Sequence, residues 1–588
     1  MLLHSLDQHG PALILIEAGL TGLASVVVLA WPRIGFLFFG RAEQIVGGLA
    51  RRKGMAVAVV GLSALLLRLA ILPVCPIPLP FATDGLSFLL AADTFAHGRL
   101  ANPTPAMWTH FESIHIAMQP TYMSMYFPAQ GLVMAAGKVL FGHPWYGILI
   151  CNALMCAAIC WMLQAWLPPT WALLGGGLAI LRLGLFSYWI NTYAGAGAVS
   201  ALGGALVLGA LPRLTKTARF RYGVLMAVGI VLLLLTRPFE GVLLCLPVLV
   251  KICCWILVGK NRPNTFILFR RAAFPMTLIM AAGAWLGYYD YRAFGSPFTL
   301  PYTVARAAYA TAPYYVWQSP HPVPNYRHEE MRRFYREIEQ DGYEKLHSVS
   351  GFIPQTLTKF GWSLIAFYAG FALLPPLMIF RRVLLDRRLR FLVLCLPLWL
   401  GGVAMGIFLI PHYLAPFTAA FYALGLQAMR HLRFWKLEGK PTGLTLARLT
   451  VAVCIATAAL RLFAEPLQLI PSEWPGGEWI FWWNGPGHFG TERAEIECRL
   501  EQFPGPQLAI VRYSPKHYPL DEWIYNAADI DSSKVIWARE MDAASNLELI
   551  RYYKDREVWL VQPDSETERA IPYPIPGNGA PSLTRGEK

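Results

Sequence analysis

Three short stretches set ionisable side chains at the ends of long apolar runs. In FATDGLSFLLAADTFAHGRL (81–100), Asp84 follows one apolar run and opens an amphipathic one. A carboxylate at such a boundary can act as a general base or a metal ligand, because a half-buried interface tunes its pKa. The same place suits the N-cap of a helix over 85–98, so both roles stay open. His110, Glu112 and His115 follow in one short segment. They could ligate a divalent ion or position a substrate hydroxyl. Their spacing matches no standard zinc signature, and polar residues facing water read equally well. TRPFEG (236–241) places Arg237 and Glu240 between two apolar runs. The planar fork of Arg237 suits a lipid phosphate. A pair with Glu240, three positions on, would instead brace a helix hairpin. In PHYLAP (411–416), His412 and Tyr413 could touch a phosphate or a sugar, or belong to an interfacial aromatic belt.

These residues must be positioned by membrane helices. The 588-residue chain is 55% hydrophobic and only 15% charged, with mean hydropathy +0.42. Soluble chains carry about a quarter charged residues. Apolar runs near the length of a span recur throughout, which excludes one large soluble core. Twelve spans are predicted, at 12–31, 55–77, 144–166, 170–189, 193–211, 221–236, 239–258, 272–289, 358–380, 391–410, 413–430 and 448–467. Most cysteines sit inside these runs and form neither a zinc signature nor a disulfide framework.

The net charge of +14 does not point to nucleic acid. The basic residues cluster in 32–54, 212–221, 259–271, 381–390 and 430–448, all on one side of the proposed topology. That side reads as cytoplasmic. The other side then holds the N-terminus, two large loops (78–143 and 290–357) and the tail. The first loop is rich in Trp, Tyr, Met and Pro, which suits segments lying in the interface. The multi-span unit covers 1–470. In 471–562, helices at 492–502 and 544–554 alternate with strands at 507–513, 534–538 and 557–561, predicting a small α/β domain. The Pro/Gly-rich segment 563–588 reads as disordered.

An Asp just past an early span, an amphipathic helix, a Pro-containing loop, a PAQGLVMAAGKVLFG helix and then a full span form a familiar order. It resembles the GT-C membrane glycosyltransferases, in the branch of the protein O-mannosyltransferases, the lipid A aminoarabinose transferases and related bacterial sugar transferases. The resemblance implies an all-α polytopic fold with two juxtamembrane helices, matched here by 85–98 and 128–141. It implies that Asp84 activates the acceptor or holds a metal. Many members keep a second acid beside it, where this chain has Gly85; Glu112 is a candidate substitute, also as a metal ligand. The basic residue of the Pro-containing loop is absent near Met125, and Asn191 replaces a further acid.

The expected activity is inverting transfer of a sugar from a polyprenyl-phosphate donor to a lipid, glycan or protein acceptor. It would take place on the periplasmic face of a bacterial inner membrane. Asp84 is the expected base. His110, Glu112, His115, Arg237, Glu240, His412 and Tyr413 are the expected substrate contacts. A divalent cation, magnesium or manganese, is the one cofactor considered. The expected partners are the donor, membrane lipids and an unidentified acceptor. The rival reading is a transporter or flippase for a lipid-linked saccharide. It would show polar residues running through the spans, whereas here they concentrate at the outer ends.

Overall fold

The computed structural model describes residues 12–259, 264–464, 466–467, 469, 490–565 and 569–574. Among these, seven helices are long and apolar enough to cross a membrane, or eight if a bent pair counts as one span. The long ones are Leu13–Ala30, Lys53–Ala70, Trp145–Trp166, Gly197–Thr217, Pro238–Val258, Phe266–Phe294 and Thr442–Leu462. Five of the twelve predicted spans are shorter or interrupted. Phe220–Leu234, Arg390–Ala404 and Thr418–Leu432 have 15 residues each. Pro169–Ala179 passes into a π-helical turn at Ile180–Gly184. The predicted span 358–380 is not straight. It bends by 93° between Ser350–Ala369 and Phe371–Leu377, at Gly370, whose φ is +69°. Run length alone overstated these spans because Gly and Pro end helices without interrupting apolar sequence.

The first large loop carries two helices, Thr83–Ala96 and Ala129–Phe141, as expected. They pack closely: a Cβ on Gly131 would lie 2.7 Å from the Ala91 Cβ. Asp84 does not cap the first of them. The N-cap is Ala82, at φ +60°, and no side chain caps the helix. Asp84 sits in the first turn, where its charge complements the helix dipole. Between the helices, Ile116–Ala117 pairs antiparallel with Met123–Ser124.

The C-terminal part forms a four-stranded sheet in the order 535–539, 507–511, 557–561, 570–572. The first three strands are parallel and the last is antiparallel. Helices Thr491–Glu501 and Ala543–Tyr552 complete it. The segment expected to be disordered therefore supplies an edge strand, Ala570–Pro572. Composition hid it because a three-residue edge strand needs only backbone pairing with Leu560 and its neighbours. Residues 575–588 and 470–489 lie outside the described residues.

Side chains alternate between the faces of this sheet. Ala509, Val511, Trp537 and Trp559 pack with Trp523, Ile496 and Leu500. Leu508, Ile510, Ile536 and Ala538 share a core with Leu90, Phe111, Ile116, Met118 and Tyr122 of the first large loop. The C-terminal unit is thus docked on the loop that carries Asp84.

Candidate active site

Asp84 projects from the first turn of its helix with its side chain 26% exposed. Among the described residues its carboxylate has no hydrogen-bond partner, and His115 Nδ1 lies 3.9 Å from it. That nitrogen is 2.9 Å from the Thr83 hydroxyl. Ser87 donates to the His115 carbonyl at 2.7 Å. His115 has φ +67°, a conformation costly for a residue with a Cβ and one that clusters at functional sites. Burial pushes its imidazole down to about 4, against the pull of Asp84 and with help from Arg306. Gly85, at the position of the second acid, is buried, and a Cβ there would lie 3.7 Å from the Tyr193 Cβ.

Arg237 lies across the same end of the molecule. It precedes helix Pro238–Val258 and is 5% exposed. Its Nη2 donates to the Gly195 carbonyl at 3.1 Å, Nη1 is 3.8 Å from Glu240 Oε1, and its plane lies 4.3 Å from the centre of the Tyr413 ring. Nε is buried without a hydrogen-bond partner. A buried guanidinium N–H left open is costly unless something else accepts from it. Tyr413 continues to the Tyr314 hydroxyl at 3.2 Å, and His412 Nδ1 is 2.8 Å from the Tyr188 hydroxyl. Tyr126 links the two halves. Burial raises its hydroxyl far above the ordinary range, the Asp84 charge adds to the rise and Arg237 opposes it. The structure therefore brings Asp84, His115, Arg237, Glu240, His412 and Tyr413 to one end, with Tyr126, Tyr188, Tyr302 and Tyr314 between them.

His110 and Glu112 are placed differently. His110 Nδ1 donates to the Arg539 carbonyl at 2.9 Å, and burial lowers its imidazole. Glu112 accepts from Tyr309 at 2.8 Å and meets Arg327 at 3.4 Å and His328 at 3.2 Å. Arg539 donates to the Glu112 carbonyl at 2.8 Å and pairs with Glu522 and Glu330. These residues join the two large loops to the C-terminal sheet. Asp93 does the same: it pairs with Lys138 and accepts from Ala528 N–H at 2.7 Å. Burial would raise the Asp93 carboxyl, but those two donors hold it below its ordinary value.

Sequence reasoning missed Arg306, Arg68 and the tyrosines as site members. Arg306 is 7% exposed, pairs with Glu339 at 3.2 Å and lies 5.8 Å from the centre of the Tyr314 ring. The aromatic and basic stretch PYTVARAAYATAPYY was its only signal. Arg68 is fully buried and donates to Asn191 Oδ1 at 2.8 Å. Asn191 therefore buttresses the end of helix Lys53–Ala70.

An apolar groove of about 480 Å³ is lined by Leu178, Leu364, Tyr368, Phe421, Leu424 and Met429 among others. The helix break at Gly370 shapes one wall. Tyr368 joins groove to site, donating to the Pro411 carbonyl at 2.6 Å. Among the described residues no three His, Cys, Asp or Glu side chains come together to hold a metal.

No protein-family model matches the chain, and no curated protein matches it in sequence. Solved structures with a similar course exist. The Archaeoglobus fulgidus oligosaccharyltransferase tethered to an acceptor peptide is 11% identical with TM-score 0.46, over 85% of this chain and 69% of that one. The same enzyme in complex with zinc and sulfate gives 11% and 0.46, over 86% and 67%. ArnT from Cupriavidus metallidurans bound to undecaprenyl phosphate is 13% identical with TM-score 0.40, over 86% and 93%. The chain is similar to these proteins along most of its length.

Proposed function

We propose that this polytopic membrane protein is a glycosyltransferase. It moves a sugar from a polyprenyl-phosphate donor to a lipid, glycan or protein hydroxyl at the outer face of a bacterial inner membrane. One observation carries the reading. A carboxylate with no hydrogen-bond partner, Asp84, and a buried guanidinium with an open N–H, Arg237, stand at the two ends of one row of rings, His115, Tyr126, Tyr302, Tyr314 and Tyr413, beside an apolar groove. The GT-C-like order of elements around Asp84 agrees with it.

The groove accepts the isoprenoid tail, and Arg237 Nε donates to an oxygen of the donor phosphate. Asp84 takes the proton of the acceptor hydroxyl as that oxygen attacks the anomeric carbon. The carbon–oxygen bond to phosphate breaks, and polyprenyl phosphate leaves with the electron pair, stabilised by Arg237. A single displacement inverts the anomeric centre. His412 and Tyr413 orient the phosphate or sugar, and Glu240 keeps Arg237 in place. Serving as a metal ligand in place of a base, Asp84 would be the residue to hold magnesium or manganese. Such an ion would neutralise the leaving phosphate. Glu112 and His110 hold the C-terminal unit over the loop, so they shape the site without touching donor. That unit is the surface on which an acceptor is presented.

The test is transfer from a radiolabelled polyprenyl-phosphate sugar by purified protein, with lipid and glycan profiles of a deletion strain naming the acceptor. Wild-type rates from Asp84→Asn would overturn the base assignment. Cysteines placed in 540–555 should react with an impermeant maleimide from outside; labelling only from the cytoplasm would reverse the topology. A second reading, a flippase, draws on the buried pair Glu17–Arg182 at 3.3 Å between spans. It predicts lipid-linked sugar crossing vesicles with the sugar still attached.

A further inference from the structure

The arginine-rich end of the molecule, opposite the site above, holds a second cavity of about 330 Å³. It lies between helices Phe36–Arg51, Pro169–Ala179, Thr418–Leu432 and Thr442–Leu462. Its walls are apolar, with Val46, Leu174, Met429 and Val451 among them. Its charged groups are Glu43, Arg433 and Arg448.

Arg448 is 9% exposed. Nε and Nη2 grip the Glu43 carboxylate at 2.9 and 3.0 Å. Nη1 is buried with no hydrogen-bond partner. Arg433 lies 5.8 Å from the centre of the Trp171 ring and has no ion-pair partner among the described residues. Glu43 cancels one of the two guanidinium charges, which leaves one net positive charge and one open, buried N–H in an apolar chamber.

The helix that closes the cavity is amphipathic. Leu37, Phe38 and Ile45 are 72–79% exposed, and Arg41, Arg51, Arg52 and Lys53 lie on or beside it. Such a helix lies in the interface with its apolar side among acyl chains. The cavity therefore opens at headgroup depth.

We propose that this cavity binds an anionic phospholipid. Its phosphodiester oxygen accepts from Arg448 Nη1 and pairs with Arg433, and an acyl chain follows Val46, Leu174 and Val451. A zwitterionic headgroup brings its own cation next to Arg433 and binds less well. This inference does not depend on the transferase reading, and Arg433 and Arg448 are remote from Asp84.

The experiment follows thermal unfolding of full-length protein in neutral detergent while phosphatidylglycerol, phosphatidylcholine or inorganic phosphate is titrated. Phosphatidylglycerol should raise Tm at lower concentration than phosphatidylcholine. Arg433→Gln should weaken its apparent affinity about fivefold, the effect of one basic residue near an anionic surface. Arg433→Lys should largely keep it. Arg448→Gln should abolish the preference; if that variant does not fold, the Arg433 pair decides alone. Equal effects of the two lipids would overturn the proposal, as would a preference unchanged in Arg433→Gln. Inorganic phosphate protecting as well as phosphatidylglycerol would assign the site to a free anion and overturn the lipid assignment.

Discussion

The Tyr188 hydroxyl meets His412 Nδ1 at 2.8 Å across 224 positions of sequence. Gly195 makes room for that contact. Its φ is +83°, and a Cβ on it would lie 2.5 Å from the same imidazole nitrogen. Behind the contact, helix Gly197–Thr217 presses on the turn that carries His412, where a Cβ on Gly204 would lie 1.9 Å from the Pro416 carbonyl oxygen. Only backbone stands there, so nothing can yield cheaply. Gly204→Ala should destabilise the protein by about 1–3 kcal/mol and lower transfer activity by moving His412. Thermal unfolding and initial rates check both.

Asp84→Asn keeps the size and helix position of the side chain and removes the base. Sugar transfer should fall about 10²–10⁴-fold with Tm and donor affinity nearly unchanged. A fall in donor affinity of the same size would move Asp84 from base to donor ligand.

Arg237→Lys keeps the charge beside Glu240 and loses the fork and Nε. Donor KM should rise about tenfold, the loss of one charge-assisted hydrogen bond, while acceptor KM stays near wild type. Arg237→Ala is the less informative variant. It strands Glu240 in a buried site and should cost about 3–5 kcal/mol of stability.

His115 gives the fold a pH dependence of definite sign. Its imidazole is pushed down to about 4 in the folded protein, from an ordinary 6.5. The unfolded chain therefore binds the proton first, and stability falls as pH drops from about 6.5 towards 4. His110 and His412 are also lowered by burial and act in the same direction. In His517, Asp564 outweighs burial and raises the imidazole, so its contribution is lost as pH rises. Denaturant midpoints from pH 8 to 4 should fall on the acid side, and His115→Gln should flatten part of that fall.

Arg539→Gln should loosen the C-terminal sheet from the first large loop. Glu522 would lose its buried partner, and the Glu112 carbonyl a donor. The cost should be about 3–5 kcal/mol, read as earlier unfolding and faster proteolysis between 500 and 560.

The sequence by itself determined the membrane-embedded helical class, both juxtamembrane helices and the order of strands and helices in the tail. These follow from apolar run length and from periods of 3.6 and 2, which are local properties. It also singled out Asp84, Arg237, Glu240, His412 and Tyr413, because an ionisable or aromatic group at the end of an apolar run is visible without a fold. Tertiary structure alone decided their partners. Glu112 and His110 looked like companions of Asp84 by position, yet Arg539, Arg327 and His328 claim them from far along the chain. Tyr126 and Tyr188 carried no local mark, and Arg306 only the aromatic and basic stretch around it. Gly85 and Asn191, read as missing acids, lie against Tyr193 and Arg68. A buried polar group takes whichever partner packing brings within hydrogen-bond reach, and no local spacing encodes that choice.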